Sequence, residues 1–195
     1  MSPSTLKILL LLPPRKNSSK NGKLKIKASL WHGKIKIEQQ NFQFSTFNCQ
    51  FKTMGYKEDK QLQLDGRYMR MARVWAENSY CIRRQVGALI VKDKMIISDG
   101  YNGTPSGFEN ICEDESGVTK PYVLHAEANA ITKLAKSHNS GDNSTLYVTA
   151  SPCMECSKLI IQAGIKRVVY ADLYHNTDGI DLLERSGIEV VRVEG

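Results

Sequence analysis

The chain has 195 residues, of which 41% are hydrophobic and 24% are charged. This composition suffices for one domain with an apolar core and excludes a wholly disordered protein. The formal net charge of +7 is unevenly spread, because residues 1–53 hold ten basic and one acidic side chain, whereas residues 54–195 hold 17 basic and 19 acidic ones. The body of the chain therefore offers no bulk electrostatic argument for a nucleic-acid partner.

Residues 1–53 also lack a sustained hydrophobic period, although LKIKASLWHGKIKIEQ alternates and favours a hairpin around Gly33. We interpret 1–53 as a basic N-terminal extension, either poorly ordered or a non-native start, followed by one domain over 54–195 that begins at Met54. No apolar run is long enough to span a membrane, and the start lacks a clear signal-peptide cleavage site. An odd number of cysteines with one C-x-x-C pair is typical of a reducing compartment, so we expect a cytoplasmic protein.

The rest of the chain predicts alternating strands and helices. Apolar residues recur at helical spacing in DGRYMRMARVWAENSYC, and VGALIV and MIISDG around KDK predict a hairpin. After the loop GYNGTPSGF, helices are predicted over 125–136, 153–163 and 178–186, with strands STLYVTA, KRVVYA and IEVVRV between and after them. Five strands in this order predict an α/β fold of three layers, α/β/α, in which a five-stranded mixed sheet has helices on both faces.

Two of the predicted helix starts carry groups suited to metal chemistry. His125 and Glu127 lie two apart at the first turn of one helix, where both side chains can reach over the open end. Cys153 and Cys156 lie three apart on the other, which Pro152 opens. One imidazole and two thiolates leave a fourth position open, which is typical of a catalytic zinc site. Glu127 then stands beside the metal as the general acid/base for water.

The complete pattern H-x-E…P-C-x-x-C is the signature of the zinc nucleobase deaminases. The chain resembles the cytidine-deaminase superfamily, and within it the deoxycytidylate (dCMP) deaminases, over most of residues 65–193. The resemblance rests on GYNGTPSGF, LHAEANAI, TLYVTASPCMECSKLIIQAGI and VVYADLYHNTDGIDLLERSGIEV. Ser157 stands where the family usually has Ala, a change that we expect to have little effect.

The resemblance implies hydrolysis of dCMP to dUMP and ammonia for thymidylate synthesis, with one Zn²⁺ per chain held by His125, Cys153 and Cys156. Glu127 would carry protons between water and N3 of the cytosine. The backbone N–H of Ala126 would bind the pyrimidine carbonyl. The family is commonly a hexamer regulated by dCTP and dTTP with Mg²⁺, so a homo-oligomer and these effectors are expectations from the resemblance alone.

Two further residues are candidates for substrate contact. Asn102 would meet the sugar hydroxyl by the resemblance, or is a turn residue of the YNG loop. Tyr174 closes over the base as an aromatic lid, or is a half-buried residue at a strand end. We expect Cys81 to be a core residue and Cys112 to be a free thiol, since no partner set for a second metal at Cys112 is apparent.

Two alternatives to dCMP deamination stay open. The first is another substrate in the same fold: tRNA adenosine, cytosine or cytidine, guanine, or a riboflavin precursor. A tRNA-acting enzyme needs clustered basic residues, which the body's charge does not favour. The second is a catalytically inactive, zinc-stabilised module, which the presence of Glu127 argues against.

Overall fold

The computed structural model describes residues 28–31, 34–37 and 45–193, with side chains from residue 59 onward. Contacts divide the chain into two units, Met1–Gly55 and Tyr56–Gly195. In the first unit, strands β1 (Ala28–Trp31) and β2 (Lys34–Ile37) pair in antiparallel fashion, as the alternating pattern predicts. Helix α1 (Ser45–Ala76) begins well before the predicted helix start. The prediction missed this part of the helix because residues 45–64 show no apolar residues at helical spacing. The assignment of 1–53 as an extension stays a prediction, and most of that segment lies outside the described residues.

The second unit contains the five predicted strands and three further helices. The strands are β3 (Gly87–Lys92), β4 (Met95–Tyr101), β5 (Thr145–Ala150), β6 (Arg167–Asp172) and β7 (Glu189–Arg192). The helices are α2 (Ala126–Ala135), α3 (Met154–Gln162) and α4 (Asp178–Arg185). Each agrees with its predicted position to within a few residues. Within the described ranges, every helix is too short or too polar to cross a membrane.

The five strands form one mixed sheet in the order β4-β3-β5-β6-β7. Strand β3 pairs antiparallel with both β4 and β5, whereas β5, β6 and β7 run parallel. The hairpin turn at Asp93 and Lys94 has positive φ at both residues, which suits a two-residue turn between twisted strands. Because β5 and β6 are parallel, the loops that follow them meet at one edge of the sheet, where α3 begins and where Tyr174 lies.

Helices cover the two faces of the sheet unequally. Helices α2, α3 and α4 bury the larger apolar cluster, whereas α1 contributes Met69 and Ala72 to the cluster on the opposite face. The α/β/α architecture with a five-stranded mixed sheet is thereby confirmed. In the apolar helix pattern that contains Trp75, this residue is 37% exposed, whereas Ala72 and Ala76 on the same helix are buried.

Close packing of α2 on β4 sets the position of the helix start that bears His125. A Cβ placed on Gly100 would collide with the carbonyl oxygen of Ala126 and with the backbone of Ala130. Ser98, two residues earlier on β4, donates a 2.7 Å hydrogen bond to the carbonyl of Ala130. The absence of a side chain at Gly100 therefore lets the first turns of α2 lie directly on the sheet.

A buried ion pair fixes α1 to the other face. The Asp65 carboxylate, 1% exposed, accepts hydrogen bonds of 2.9 and 2.8 Å from the Arg167 guanidinium on β6. It also accepts bonds from the Tyr147 hydroxyl at 2.8 Å and the Gln61 amide at 2.9 Å. A carboxylate buried with this many charged and neutral donors is fully compensated.

Candidate active site

The two helix starts carry their polar groups as the sequence predicts. His125 is the N-cap of α2 and Cys153 is the N-cap of α3, both with extended backbone. Neither side chain caps its own helix, so both remain available for another partner. Glu127 and Cys156 follow in the first turns of the same helices, where unpaired N–H groups favour negative charge.

His125, Cys153 and Cys156 come together at the point where these helix starts meet. The Nδ1 atom of His125 lies 3.4 Å from each sulfur, and the three ligand atoms lie within 4.8 Å of one another. Tetrahedral zinc with its usual bond lengths separates a nitrogen and a sulfur ligand by about 3.5 Å. The residues present therefore fit a three-ligand zinc site, and no other such group occurs among the described residues.

The pKa values of the three side chains also indicate that the cluster suits a bound cation. Contact with the Cys156 thiol and then with the His125 imidazole lowers the pKa of Cys153 to about 3, although burial opposes the shift. The neighbouring Cys153 thiolate, burial and the Glu127 carboxylate together raise the pKa of Cys156. Contact with Cys153 raises the pKa of His125. Two thiolates cannot both ionise here unless a positive ion offsets their repulsion, and Zn²⁺ supplies that charge.

Glu127 is a buried carboxylate beside this cluster. It is 4% exposed, and burial raises its pKa to about 7, although the nearby His125 opposes the shift. A carboxyl group whose pKa lies near neutrality can both accept and release a proton under physiological conditions. Glu127 is therefore a buried carboxyl group that lies beside the three metal-ligand side chains.

A cavity of about 200 Å³ opens onto these groups and is lined by His125, Glu127 and Cys153. The three predicted substrate-contact residues, Asn102, Ala126 and Tyr174, line the same cavity. The structure therefore brings every predicted site residue to one place, although their contacts with a substrate stay predictions.

Comparison with known proteins identifies the family. The model for the cytidine and deoxycytidylate deaminase zinc-binding region matches residues 62–172, more than half of the chain. The chain belongs to this family of zinc-dependent deaminases. The matched range contains the His125, Cys153 and Cys156 cluster and Glu127.

Individual relatives agree with this assignment. ComE operon protein 2 of Bacillus subtilis (strain 168) is 40% identical over 132 residues, which cover 65% of this chain and 69% of that protein. The deoxycytidylate deaminase of Saccharomyces cerevisiae (strain ATCC 204508 / S288c) is 33% identical over 161 residues, 75% of this chain and 51% of the yeast protein, so the chain spans about half of its length. The crystal structure of dCMP deaminase from cyanophage S-TIM5 in complex with dCMP and dUMP is 50% identical, with a TM-score of 0.66, and covers 67% of this chain and 97% of that one.

Asn102 has a structural role in this deaminase. Its side-chain oxygen accepts a 2.7 Å hydrogen bond from the Val86 N–H, and its side-chain nitrogen donates a 2.8 Å bond to the Arg84 carbonyl. The amide thus fastens the YNG loop to the segment before β3. Its oxygen keeps a second lone pair, and the contact with a sugar hydroxyl stays a prediction.

Tyr174 is half-buried at the cavity rim. Its backbone N–H donates a 2.8 Å hydrogen bond to the Ser151 hydroxyl, and its ring packs edge-on against the exposed His175 at 4.0 Å. Asn129, on α2, donates a 2.9 Å bond to the Tyr101 carbonyl and so steadies the loop that follows β4. These contacts hold the rim of the deaminase site in place.

The prediction of a free thiol at Cys112 is wrong. Cys112 forms a disulfide with Cys81, and both residues are buried, with Cα atoms 5.1 Å apart. Cys81 is a buried residue, as predicted, but it is bridged. An odd cysteine count argues against a framework of several disulfides, yet it says nothing about one pair that the fold brings together across 31 residues.

Sequence reasoning also missed Glu113 and two arginines. One oxygen of the Glu113 carboxylate accepts hydrogen bonds of 3.1 Å from the backbone N–H groups of Ile82 and Arg83. Arg83 and Arg84 line the cavity itself. An R-R pair after a helix is a weak signal in sequence, because adjacent arginines most often belong to a solvated surface.

Proposed function

We propose that the chain hydrolyses dCMP to dUMP and ammonia. The observation that carries the proposal is the buried Glu127 carboxylate beside the cluster of His125, Cys153 and Cys156, at the wall of a cavity. A supporting point is that the S-TIM5 relative, 50% identical, is described in complex with dCMP and dUMP. Zinc held by the three ligands would supply the Lewis acidity that brings the pKa of a water molecule toward neutrality.

Glu127 would move the protons of this reaction. It accepts one proton from the attacking water, whose oxygen becomes the new carbonyl oxygen at C4, and delivers it to N3 of the ring. It then transfers the second water proton to the departing amino group, which leaves as ammonia. Its raised pKa, near 7, suits both steps, because one group must act first as a base and then as an acid.

The remaining predicted residues would orient the substrate. The N–H of Ala126 belongs to the first turn of α2, where backbone donors have no partner within the helix, and it would bind the pyrimidine carbonyl. The second lone pair of the Asn102 side-chain oxygen would accept from the sugar hydroxyl. Tyr174, at the rim, would cover the base after entry.

The first test is a substrate comparison. The purified, zinc-loaded protein is offered dCMP, deoxycytidine, cytosine, guanine, a riboflavin precursor and a tRNA anticodon stem-loop, and ammonia release is measured for each. We expect kcat/KM to be highest for dCMP. Higher activity on another compound would overturn the substrate assignment while keeping the zinc site, and zinc binding without any turnover would support the inactive-module alternative.

Location, assembly and regulation complete the proposal. We infer a cytoplasmic enzyme, since the ligand thiols Cys153 and Cys156 must stay reduced to hold zinc. The Cys81–Cys112 bridge is unusual for such a compartment, and differential thiol labelling of protein taken from cells tests it. We also infer a homo-oligomer, hexamers included, because the resemblance to the dCMP deaminases implies one; an interface would cover some of the exposed apolar residues, such as Ile82. Light scattering with and without Mg²⁺ and dCTP or dTTP tests the assembly and the effectors together.

A further inference from the structure

The loop that carries Tyr174 joins β6 to α4 and reaches the wall of the cavity. Residues 173–177 have no regular secondary structure, and four of these five residues are exposed. Tyr174, the half-buried exception, lines the cavity. A loop with so little buried surface is normally among the least stable parts of a domain. An aromatic ring at this place can cover a substrate reproducibly only if something else fixes the backbone that bears it.

One hydrogen bond to a buried side chain provides that fixation. The Tyr174 N–H donates a 2.8 Å bond to the hydroxyl of Ser151. In the part of the chain that the structure describes, the other backbone N–H groups of residues 173–177 make no hydrogen bond to protein. The Tyr174 ring meets only the edge of the exposed His175 and, at 5.4 Å, the guanidinium of Arg84. The Ser151 hydroxyl is therefore the main anchor of this loop.

Ser151 can serve as an anchor because its own position is firmly held. It is 2% exposed, and its N–H donates a 2.8 Å hydrogen bond to the Asp172 carbonyl at the end of β6. The next residue, Pro152, is fully buried, and a Cβ placed on Gly179 of α4 would collide with its carbonyl oxygen. A side chain locked by packing and by its backbone can hold a neighbouring group at a defined place.

The same turn also carries a metal ligand. Ser151 precedes Cys153, the N-cap of α3, by two residues, and both residues line the cavity. The path from the metal cluster to Tyr174 therefore consists of two covalently linked residues and one hydrogen bond. Ser157 on α3 offers a contrast, because its equally buried hydroxyl bonds the Gly179 carbonyl at 2.9 Å and is not part of the cavity lining.

We propose that Ser151 is a positioning residue, which holds Tyr174 over the substrate at a fixed distance from the metal cluster. This inference rests on the proposed function and adds a residue that acts through the backbone of Tyr174 rather than on the reacting atoms. A cover over the base contacts the bound substrate and the transition state alike. Its loss therefore weakens binding and raises KM, whereas the rate of the chemical step is kept.

The first test compares Ser151→Ala with Ser157→Ala in the zinc-loaded enzyme. Ser151→Ala should raise KM for dCMP by about 3- to 10-fold, the range for one neutral hydrogen bond, and leave kcat within about twofold. Ser157→Ala also removes a buried serine hydroxyl, and it should leave both constants unchanged. Zinc content, measured for each variant, should stay at the wild-type value. A wild-type KM in Ser151→Ala, or a loss confined to kcat, would overturn the inference.

A double-mutant cycle tests whether Ser151 acts through Tyr174. Tyr174→Ala should itself raise KM, and Ser151→Ala added to it should raise KM further by less than about twofold, because no ring is left to position. An equal increase in both backgrounds would show that the two residues act independently, which contradicts the proposal.

Hydrogen exchange of the Tyr174 amide separates this inference from the proposed function, since it requires no substrate. In the zinc-loaded protein, mass spectrometry of a peptide containing residues 173–177 should show exchange that is about 3- to 10-fold faster in Ser151→Ala than in the wild type or Ser157→Ala. Unchanged exchange in Ser151→Ala would refute the anchor. A wild-type protein that deaminates no cytosine compound would instead refute the proposed function, and the exchange rates would still decide whether Ser151 holds the loop.

Discussion

Replacement of Asp65 tests how α1 is held on the sheet. The carboxylate is 1% exposed and accepts four hydrogen bonds, two of them from the Arg167 guanidinium. Removing one partner of a buried ion pair costs about 3–5 kcal/mol, mainly because the other charge is left without compensation. Arg167 would keep its 3.0 Å contact with the exposed Glu189. We therefore expect the lower end of that range, about 3 kcal/mol for Asp65→Ala.

The assay is urea unfolding of the zinc-loaded protein at a fixed zinc concentration, since bound metal adds to apparent stability. With a slope of about 2 kcal/mol per molar urea, the midpoint should fall by about 1.5 M. Asp59→Ala, an exposed aspartate of the same helix, is the matched control and should change stability by less than about 0.5 kcal/mol. Equal shifts in Asp65→Ala and Asp59→Ala would refute the reasoning.

The pH dependence gives an independent check on the same carboxylate. Burial raises the pKa of Asp65, but the hydrogen bonds from Arg167, Tyr147 and Gln61 outweigh it and hold that pKa below its usual range. A lowered folded-state pKa means that the ionised carboxylate stabilises the fold above its unfolded pKa, about 4, and that this contribution is lost as pH falls through the folded value. The stability difference between wild type and Asp65→Asn should therefore be constant above about pH 5 and shrink below about pH 4. A difference that grows on acidification would contradict the assignment.

Three further substitutions test the site and its supports. Glu127→Gln should keep about one zinc per chain, measured by metal analysis, but lower kcat by about 100- to 10,000-fold as proton transfer is lost; a near-normal rate would overturn its role. Gly100→Ala should destabilise the protein by about 1–3 kcal/mol and weaken zinc binding, because the added methyl group meets the Ala126 carbonyl. Gly103→Ala, which has only a 4.0 Å neighbour, is its control in thermal unfolding and zinc titration. Ser157→Ala should cost about 1 kcal/mol in urea unfolding, since the buried hydroxyl loses its 2.9 Å bond to an α4 carbonyl, with kcat unchanged.

The metal site could be predicted because its signals are local. A proline before Cys153 and an extended stretch before His125 mark helix starts, and each start places its polar groups within a few residues of one another. Only one inference about distant residues was needed, namely that the two helix N-termini meet beside the central strands. The alternation of strands and helices supports that inference, because parallel strands bring the loops that follow them to a shared edge of the sheet.

The features that sequence reasoning missed depend on contacts between distant residues. Asp65 and Arg167 are 102 residues apart, and Cys81 and Cys112 are 31 apart. No local period links either pair, so each looks like an ordinary surface or core residue until the fold is known. Net charge was equally uninformative, because the slightly acidic body of the chain conceals that Arg83 and Arg84 line one cavity.

The metal cluster shows why this fold and its ion must be considered together. Cys153, Cys156 and Glu127 can each be negative, yet they lie within the first turns of two adjoining helices, where Cys156 and Glu127 are buried and Cys153 is half-buried. A helix N-terminus offsets a negative charge by about 0.3–1 kcal/mol, which is far less than the cost of burying several like charges. Without a cation the cluster must remain partly protonated, as the raised pKa values of Cys156 and Glu127 indicate. Zinc binding therefore releases protons and stabilises the junction of α2 and α3, so the ion that the chemistry requires also supports the structure that positions it.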